Sequence, residues 1–300
     1  MSKKVLDQDR SQKVPEHNEM LMANLLFREK PAQAELSAVK AALEELVGEV
    51  DNVSDKASEH FQMFAVPKYK AVFKDTPQGI PVIANFGAPR EFSAENIDEL
   101  KRSQFWDYEN GSEVIDEFKY CVDVFGMFSA ALHYKDQAQF FLDMIDTALR
   151  NYSSCEGIYV FASGKLTTPD DFERSKQYDL AGRFIRLAVN ARFFTINNSD
   201  DMIVDTLGFY AFGGADVQLH FRGMDPNHAV EYVYNIASYQ FNSEFPVESG
   251  ETIDGIDTNG RIVQNIQWRA QYEDSLIQPV RTVLDINCGK YAAGQRGNCK

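Results

Sequence analysis

The clearest pattern in the chain is a strict alternation of polar and apolar residues between positions 216 and 222. The side chains of a β-strand point alternately to its two faces. One face receives Asp216, Gln218, His220 and Arg222, and the other receives Val217, Leu219 and Phe221. The alternation therefore predicts a half-buried strand, with a polar face towards solvent.

Apolar residues at helical spacing predict two long amphipathic helices, over residues 135–150 and 227–241. Asp225 is placed to cap the second helix, with Pro226 at its first position. A further helix is predicted over residues 31–47, another begins near Ser93, and Thr167 or Thr168 caps one that starts at Pro169. Short apolar segments predict strands at 20–27, 61–66, 69–74, 80–86, 120–128, 157–162, 217–221, near 252, 262–272 and 281–286.

The order of these elements predicts an α+β protein with mainly antiparallel sheets and helices packed on their faces. The first and last thirds repeat one scheme, a strand and a helix followed by a β-meander. We divide the chain into a flexible leader 1–18, an N-terminal α+β unit 19–110, a middle β-α-β and helical segment 111–200, a C-terminal α+β unit 201–287 and a flexible tail 288–300.

The C-terminal third contains a succession of motifs: DTLGFYAFGGADVQLHFRGMDP, YNIASYQF, GETIDGI and YEDSLIQPVRTVLDI. This succession resembles the bacterial family called domain of unknown function 4261, over about residues 200–287. The matching places are held by Gly208, Asp216, Gly250, Ile253, Pro279 and Arg281. The chain departs from the family at Phe209, where Leu is commoner, and at Gly213 and Gly214. The resemblance implies no established activity and supplies no catalytic residues.

Charge narrows the classes of partner. The chain has 45 acidic and 30 basic residues, a net charge of −15, and the acidic surplus is spread along its whole length. Such a chain repels phosphate backbones and anionic lipid, so we expect neither nucleic-acid nor membrane binding. A basic protein would be steered towards it. No apolar segment reaches the ~20 residues of a membrane span, and no signal-peptide pattern is found, so we expect a soluble cytoplasmic protein.

The four cysteines show no CxxC spacing. Cys121 and Cys155 lie in or beside apolar segments, which predicts buried thiols. Cys288 and Cys299 enclose a glycine-rich tail and are expected to be reduced, although closure of a loop or a shared metal stays open as an alternative.

Candidate chemistry is sparse, and we expect no cofactor and no metal. Asp216, His220, Asp225 and His228 form the only acid and histidine cluster. On one strand, Asp216 and His220 would be separated by ~13 Å, which is too far to share a metal. A polar sheet face and a helix cap are the simpler interpretation of this cluster.

The patterns of three other segments predict turns and not functional sites. Gly208, Gly213 and Gly214 lack the spacing and the Lys-Ser/Thr pair of a phosphate loop. Ser163 and Lys165 lack the Ser-x-x-Lys spacing of a catalytic dyad. The acidic run 248–260 has a calcium-like composition without the EF-hand pattern, which predicts an acidic hairpin loop.

The aromatic and acidic run Trp106, Asp107, Tyr108 and Glu109 is the best candidate for partner binding. Exposed aromatics surrounded by carboxylates would anchor a basic protein, whereas core packing is the more common role of such rings. We therefore expect a non-enzymatic protein-binding protein, such as an immunity or accessory factor for a bacterial toxin or secretion system. The alternative function is a hydrolase with a non-standard Asp/His site.

Overall fold

The computed structural model describes residues 19–54 and 60–294. They form two compact units, an N-terminal unit that ends at Ala188 and a C-terminal unit that begins at Val189. The predicted boundary between residues 110 and 111 falls inside the N-terminal unit. The predicted leader and positions 295–300 of the predicted tail, which include Cys299, lie outside the described residues.

The N-terminal unit contains eight strands in the described residues, which are β1 (Met22–Phe27), β2 (Asp51–Asn52), β3 (Phe61–Phe73), β4 (Thr76–Gly87), β5 (Arg90–Glu91), β6 (Tyr120–Met127), β7 (Gly157–Val160) and β8 (Lys165–Thr167). Its helices are α1 (Leu36–Val47), α2 (Glu99–Arg102), α3 (Gly111–Val114), α4 (Tyr134–Asn151), α5 (Pro169–Ser175) and α6 (Leu180–Ala188). The strands form one antiparallel sheet in the order β2-β3-β4-β6-β1-β7-β8, and β5 pairs with β6.

The C-terminal unit contains strands β9 (Asn190–Thr195), β10 (Met202–Leu207), β11 (Asp216–Phe221), β12 (Thr252–Ile256), β13 (Ile262–Asp274) and β14 (Thr282–Asn287), and helix α7 (Pro226–Asn242). They form a sheet in the order β12-β13-β14-β11-β10-β9. The pair β11 and β14 is parallel, and the other pairs are antiparallel. The prediction of an α+β protein with mainly antiparallel sheets is confirmed.

The two units share a plan that the sequence pattern indicated. In each, a strand leads into a helix and then into a three-strand meander: β1-α1-β2-β3-β4 in one unit and β11-α7-β12-β13-β14 in the other. In the C-terminal unit, β14 pairs directly with β11. In the N-terminal unit, β6 pairs with both β4 and β1 and so separates the equivalent strands.

Most predicted elements are found, and three of them differ from the prediction. Helix α1 begins at Leu36 and not at Pro31, because the backbone at Ala34 hydrogen-bonds to the side chains of Gln62 and Tyr152. The predicted strands 61–66 and 69–74 are one strand, β3, with an irregularity after Val66.

The third difference is the helix predicted to begin near Ser93, which begins at Glu99. Asp98 caps it by accepting a 2.9 Å hydrogen bond from the backbone N of Lys101. The Ser93 hydroxyl accepts only from the backbone N of Glu95, which makes a local turn. In the described residues, none of the helices is long and apolar enough to cross a membrane.

Candidate functional site

The polar face of β11 is buried, which corrects the expectation of a half-buried strand. β11 lies between β14 and β10, and the side chains of Asp216 and Gln218 are 0% exposed. Both faces of β11 are therefore covered along most of its length, and its buried polar groups need partners inside the protein.

Arg281 supplies the partner for Asp216. Its Nε donates a 2.7 Å hydrogen bond to Oδ2 of Asp216, and its Nη2 donates a 2.8 Å bond to Oδ2 of Asp205 on β10. The remaining donors reach the backbone carbonyls of Thr206, Ile277 and Pro279. A guanidinium has five N–H donors, and here each has an acceptor.

Arg192 on β9 completes the group by pairing with Asp205. Its Nε lies 2.9 Å from Oδ1 and its Nη2 2.5 Å from Oδ2 of that carboxylate, and its Nη1 donates to the carbonyl of Gln278. Two guanidiniums thus meet two carboxylates in a buried group that we call the Arg281 network, which consists of Arg192, Asp205, Asp216 and Arg281. Its formal charges cancel, and it connects β9, β10 and β11 to the loop before β14.

Burial and the neighbouring charges act in opposite directions on this network. Burial raises the pKa of Asp216 above its ordinary value, and the guanidinium of Arg281 opposes that rise. Burial by itself lowers the pKa of Arg281, but the carboxylates of Asp216 and Asp205 raise that pKa above its ordinary value. Asp216 also accepts hydrogen bonds from the Thr206 hydroxyl, at 3.1 Å, and from the backbone N of Phe209, at 3.0 Å. Because these charges are held by fixed partners and shielded from solvent, the network acts as a structural connector.

Residues 205–287 match the family model described as a domain of unknown function (DUF4261). The match begins at Asp205 of the network and ends at the last residue of β14. Comparison with curated proteins and with solved structures gave no match. Within the DUF4261 match, Asp216, Pro279 and Arg281 all belong to the network or accept a hydrogen bond from it. Some of the motif residues that carry the family resemblance thus stabilise the sheet.

The remaining motif residues of the DUF4261 match also have structural roles. Gly208 has φ = 140° and Gly250 has φ = 94°, backbone conformations that disfavour other residues. The backbone N of Gly250 donates to the carbonyl of Ala270. Ile253 is buried and pairs across the strands with Trp268.

The four residues of the Asp/His cluster have separate neighbours. Asp216 belongs to the Arg281 network, whereas Nε2 of His220 lies 3.6 Å from Oδ2 of Asp201. Asp225 caps α7 through the backbone N of Asn227, and the His228 ring packs against Gly260. Among the described residues, no three His, Cys, Asp or Glu side chains are placed to hold a metal ion.

The other candidate segments form turns. Gly164 has φ = 60° between β7 and β8, and the Ser163 hydroxyl accepts from the backbone N of Lys165. In the acidic loop, Asp257 accepts from the backbone N of Asn259 and of Arg261. A side chain at Gly214 would lie 2.6 Å from the Phe245 ring, so this glycine allows a close approach within a bend.

The described cysteines are buried thiols. Cys121 and Cys155 are buried, as predicted, and Cys288 is also buried and free. Burial raises the pKa of each of these three thiols to about 12, which keeps them protonated and poorly nucleophilic at neutral pH.

Trp106 is the most exposed aromatic ring in the described residues, with 60% of its surface accessible. Its Nε1 donates a 3.0 Å hydrogen bond to Oε1 of Gln104, which is itself buried. The preceding residue, Phe105, is buried and contacts the Tyr159 ring edge to face at 6.2 Å. Tyr159 in turn contacts the half-exposed ring of Phe161 at 5.3 Å. Trp106 therefore follows a residue that is held in place by contacts between aromatic rings.

The acidic neighbours of Trp106 play different parts. Nζ of Lys165, a buried side chain, lies 2.8 Å from Oδ2 of Asp107, so Asp107 is engaged inside the protein. Tyr108 is half-buried, and its hydroxyl donates a 3.1 Å hydrogen bond to the carbonyl of Glu156. Glu109 is exposed and forms no ion pair with the described residues. Trp106 and Glu109 are thus the members of the predicted run that face solvent fully.

This part of the surface is strongly acidic. Residues 95–117 contain eight acidic and two basic residues, and the two basic side chains pair with Asp98 and Asp116. Exposed carboxylates outside these pairs include Glu95, Glu99 and Glu109. We call the area formed by Trp106, Phe161, Glu109 and these neighbouring carboxylates the Trp106 surface.

Sequence reasoning missed the Arg281 network and the role of Asp107. A signal for the network was present, because Arg192 and Asp205 are charged residues inside otherwise apolar strands, NARFF and MIVDTL. A charge in such a segment needs a buried partner. The partner of Asp107 is 58 positions away, at Lys165, and no local pattern marks it.

Proposed function

We propose that this protein binds another protein through the Trp106 surface and that it has no enzymatic activity. The partner is a basic protein, and a basic toxin would make the chain an immunity or accessory factor. The observation that carries the proposal is an exposed indole, fixed by a hydrogen bond, among carboxylates without internal partners.

The ring supports binding because tryptophan is enriched among the residues that dominate interface energies. Trp106 is 60% exposed, so a partner that covers the ring would remove a large apolar surface from water. The hydrogen bond to Gln104 and the packing of Phe105 against Tyr159 restrict the segment before a partner binds. Restriction of this kind lowers the entropy cost of association.

The charge supports a basic partner. The electrostatic field of carboxylates without internal ion pairs extends into the solvent. There it steers a positively charged protein towards the surface and raises the association rate. Two cations already neutralise Asp98 and Asp116, so attraction comes chiefly from Glu95, Glu99 and Glu109.

The hydrolase alternative finds little support in the geometry. The most reactive candidate, Asp216, has three hydrogen-bond donors on its carboxylate and lies at 0% exposure. A general base needs access to the proton that it abstracts.

Partner capture with matched variants tests the proposal. Immobilised wild-type protein, Trp106→Ala, Glu109→Lys and Tyr239→Ala are exposed to a lysate of the source cells. Tyr239 is the control because it is an exposed aromatic residue on α7 of the other unit. We expect one protein that the wild type and Tyr239→Ala retain and that Trp106→Ala loses.

Kinetics with that purified protein complete the test. Trp106→Ala should shorten the lifetime of the complex, and Glu109→Lys should slow association and reduce its dependence on salt around 0.15 M, where the Debye length is about 8 Å. A partner that binds equally well to Trp106→Ala, or association that does not change with salt, would contradict the proposal.

A further inference from the structure

A second surface of the N-terminal unit has the opposite charge. The end of the β3-β4 hairpin, residues 67–81, carries Lys68, Lys70 and Lys74 and a single acidic residue, Asp75. The three lysines are exposed. We call this segment the basic hairpin. It is a local excess of positive charge in a chain whose net charge is −15.

The basic hairpin also exposes apolar side chains. Val72 is 58% exposed and Phe73 is 39% exposed. The Phe73 ring contacts Phe128 edge to face at 6.0 Å, and Phe128 is itself partly exposed with a backbone φ of 66°. A non-glycine residue in this conformation is uncommon and costs free energy. The basic hairpin thus presents exposed apolar side chains among its lysines, and Phe128 extends the apolar surface around Phe73.

The hairpin extends past the rest of its sheet. β2 pairs with β3 only at Phe64 and Ala65, and β6 pairs with β4 from Ile83 onwards. Among the described strands, residues 70–81 of the hairpin therefore pair only with each other. Edge lysines protect such strands against unwanted pairing, which explains Lys70 and Lys74. Protection does not explain Val72 and Phe73, because exposed apolar residues on an edge favour association.

The two charged surfaces lie towards opposite edges of one sheet. The Trp106 surface is built against β7 and β8, through Phe161 and the ion pair between Asp107 and Lys165. The basic hairpin belongs to β3 and β4, and β6 and β1 lie between these pairs of strands. One molecule therefore presents an acidic aromatic surface at one side and a basic apolar surface at the other.

We propose that the basic hairpin of one molecule binds the Trp106 surface of a second molecule. Lys70 and Lys74 face the carboxylates, and Val72 and Phe73 cover the exposed indole. This proposal rests on the proposed function, since it uses the same surface as the basic partner. The basic hairpin then competes with that partner, and self-association limits access to the Trp106 surface.

The proposed contact joins two different surfaces and is weak. Two different surfaces meet, so the association is heterologous and extends from head to tail unless it closes into a ring. A hairpin tip covers less area than a standard interface, and exposed ion pairs contribute little each. A basic partner with a larger interface would therefore displace the hairpin.

Complementary variants of the full-length chain test the contact. The acceptor variant, Lys70→Glu with Lys74→Glu, keeps the Trp106 surface and loses the basic hairpin. The donor variant, Trp106→Ala with Glu109→Lys, keeps the hairpin and loses the acceptor. A third variant, Lys30→Glu with Lys290→Glu, has the same charge change at exposed lysines outside the hairpin.

Sedimentation velocity measures the outcome at concentrations up to 0.5 mM, roughly the range of weak contacts. We expect the wild type and the third variant to associate with rising concentration and to dissociate in high salt. Acceptor and donor variants should each stay monomeric alone, and their mixture should stop at a heterodimer. A wild type that stays monomeric, association retained by the acceptor variant, or a mixture that does not associate would each overturn the proposal.

Two further measurements separate the alternatives. The first measures binding to phosphatidylserine vesicles by co-sedimentation. If the wild type binds the vesicles without self-associating, and Lys70→Glu with Lys74→Glu abolishes that binding, the hairpin is a lipid-binding element and the proposal is overturned. The second compares two binding partners of the acceptor variant. If this variant binds the basic partner from the capture experiment and does not bind the donor variant, the self-association proposal fails and the proposed function stands. If the acceptor variant binds neither of them, both proposals fail.

Discussion

The Nε of Arg281 lies 2.7 Å from Oδ2 of Asp216, and the two side chains are 5% and 0% exposed. The residues are 65 positions apart and join β11 to the loop before β14. Removing one member of such a pair leaves a buried charge without its partner, which costs about 3–5 kcal/mol. The pair is therefore decisive for the stability of the C-terminal unit.

Asp216→Asn should lower the free energy of unfolding by about 3 kcal/mol or more, because Arg281 loses a carboxylate that it cannot replace with water. Chemical denaturation measures this change. Arg222→Met is the control, since Arg222 pairs with Asp201 at the surface and exposed pairs contribute about 0–1 kcal/mol. Equal losses in the two variants would show that the Arg281 network is not a special source of stability.

Both faces of β11 should resist substitution. Leu219→Ala should cost about 2–5 kcal/mol, the usual range for a buried large-to-small change. Gln218→Ala should also cost about 1–3 kcal/mol, because its side chain bonds Oδ2 of Asp285 and the backbone N of Leu276, both at 2.8 Å. A Gln218 variant as stable as the wild type in urea would contradict the observed burial of this face.

Asp143 should make stability depend on pH. Burial raises its pKa from 3.8 to about 6, and only its Oδ1 has a hydrogen-bond partner in the described residues, Nε2 of Gln139. The folded protein holds this proton more tightly than the unfolded chain does. The contribution of Asp143 to stability is therefore full below about pH 4 and falls as pH rises to about 6.

Asp143→Asn should remove this dependence. We expect the variant to gain about 2 kcal/mol relative to the wild type between pH 4.5 and pH 8, measured by urea unfolding. Asp136→Asn, on the exposed side of the same helix, is the control and should follow the wild type. Parallel curves for wild type and Asp143→Asn would contradict the prediction.

Asp107 and Glu109 should respond differently to charge reversal. Asp107→Lys places a second cation beside the buried amine of Lys165 and should cost roughly 2 kcal/mol, less than for a fully buried pair because Asp107 is half exposed. Glu109→Lys should change stability by less than about 0.5 kcal/mol. Thermal or chemical unfolding distinguishes the two, and equal stability would show that Lys165 does not need Asp107.

Local patterns were sufficient for most of the architecture. The apolar spacing over residues 135–150 and the Asp225-Pro226 pair correspond to α4 and α7, because both depend on neighbours in sequence. The start of α1 was predicted wrongly because hydrogen bonds with Gln62 and Tyr152, both distant in sequence, hold Ala34 outside the helix.

The polar face of β11 was interpreted wrongly for a similar reason. Alternation shows that polar and apolar side chains separate, but it does not show which strand will cover the polar face. Arg281, 65 positions away, and Asp285 provide that information only after folding. The sequence left exposure and core packing of the Trp106 ring both open, and the structure shows it exposed. The engagement of Asp107 by Lys165 depends on the turn between β7 and β8.

The Arg281 network also bears on how relatives of this chain should be grouped. Its members are buried, and Asp205, Asp216 and Arg281 lie within the DUF4261 match, whereas Arg192 precedes it. A match that rests on these buried residues indicates a shared sheet and does not describe the exposed residues. Trp106 and the basic hairpin precede the matched residues, so a grouping by biological role should compare the regions that each matching protein carries outside the match.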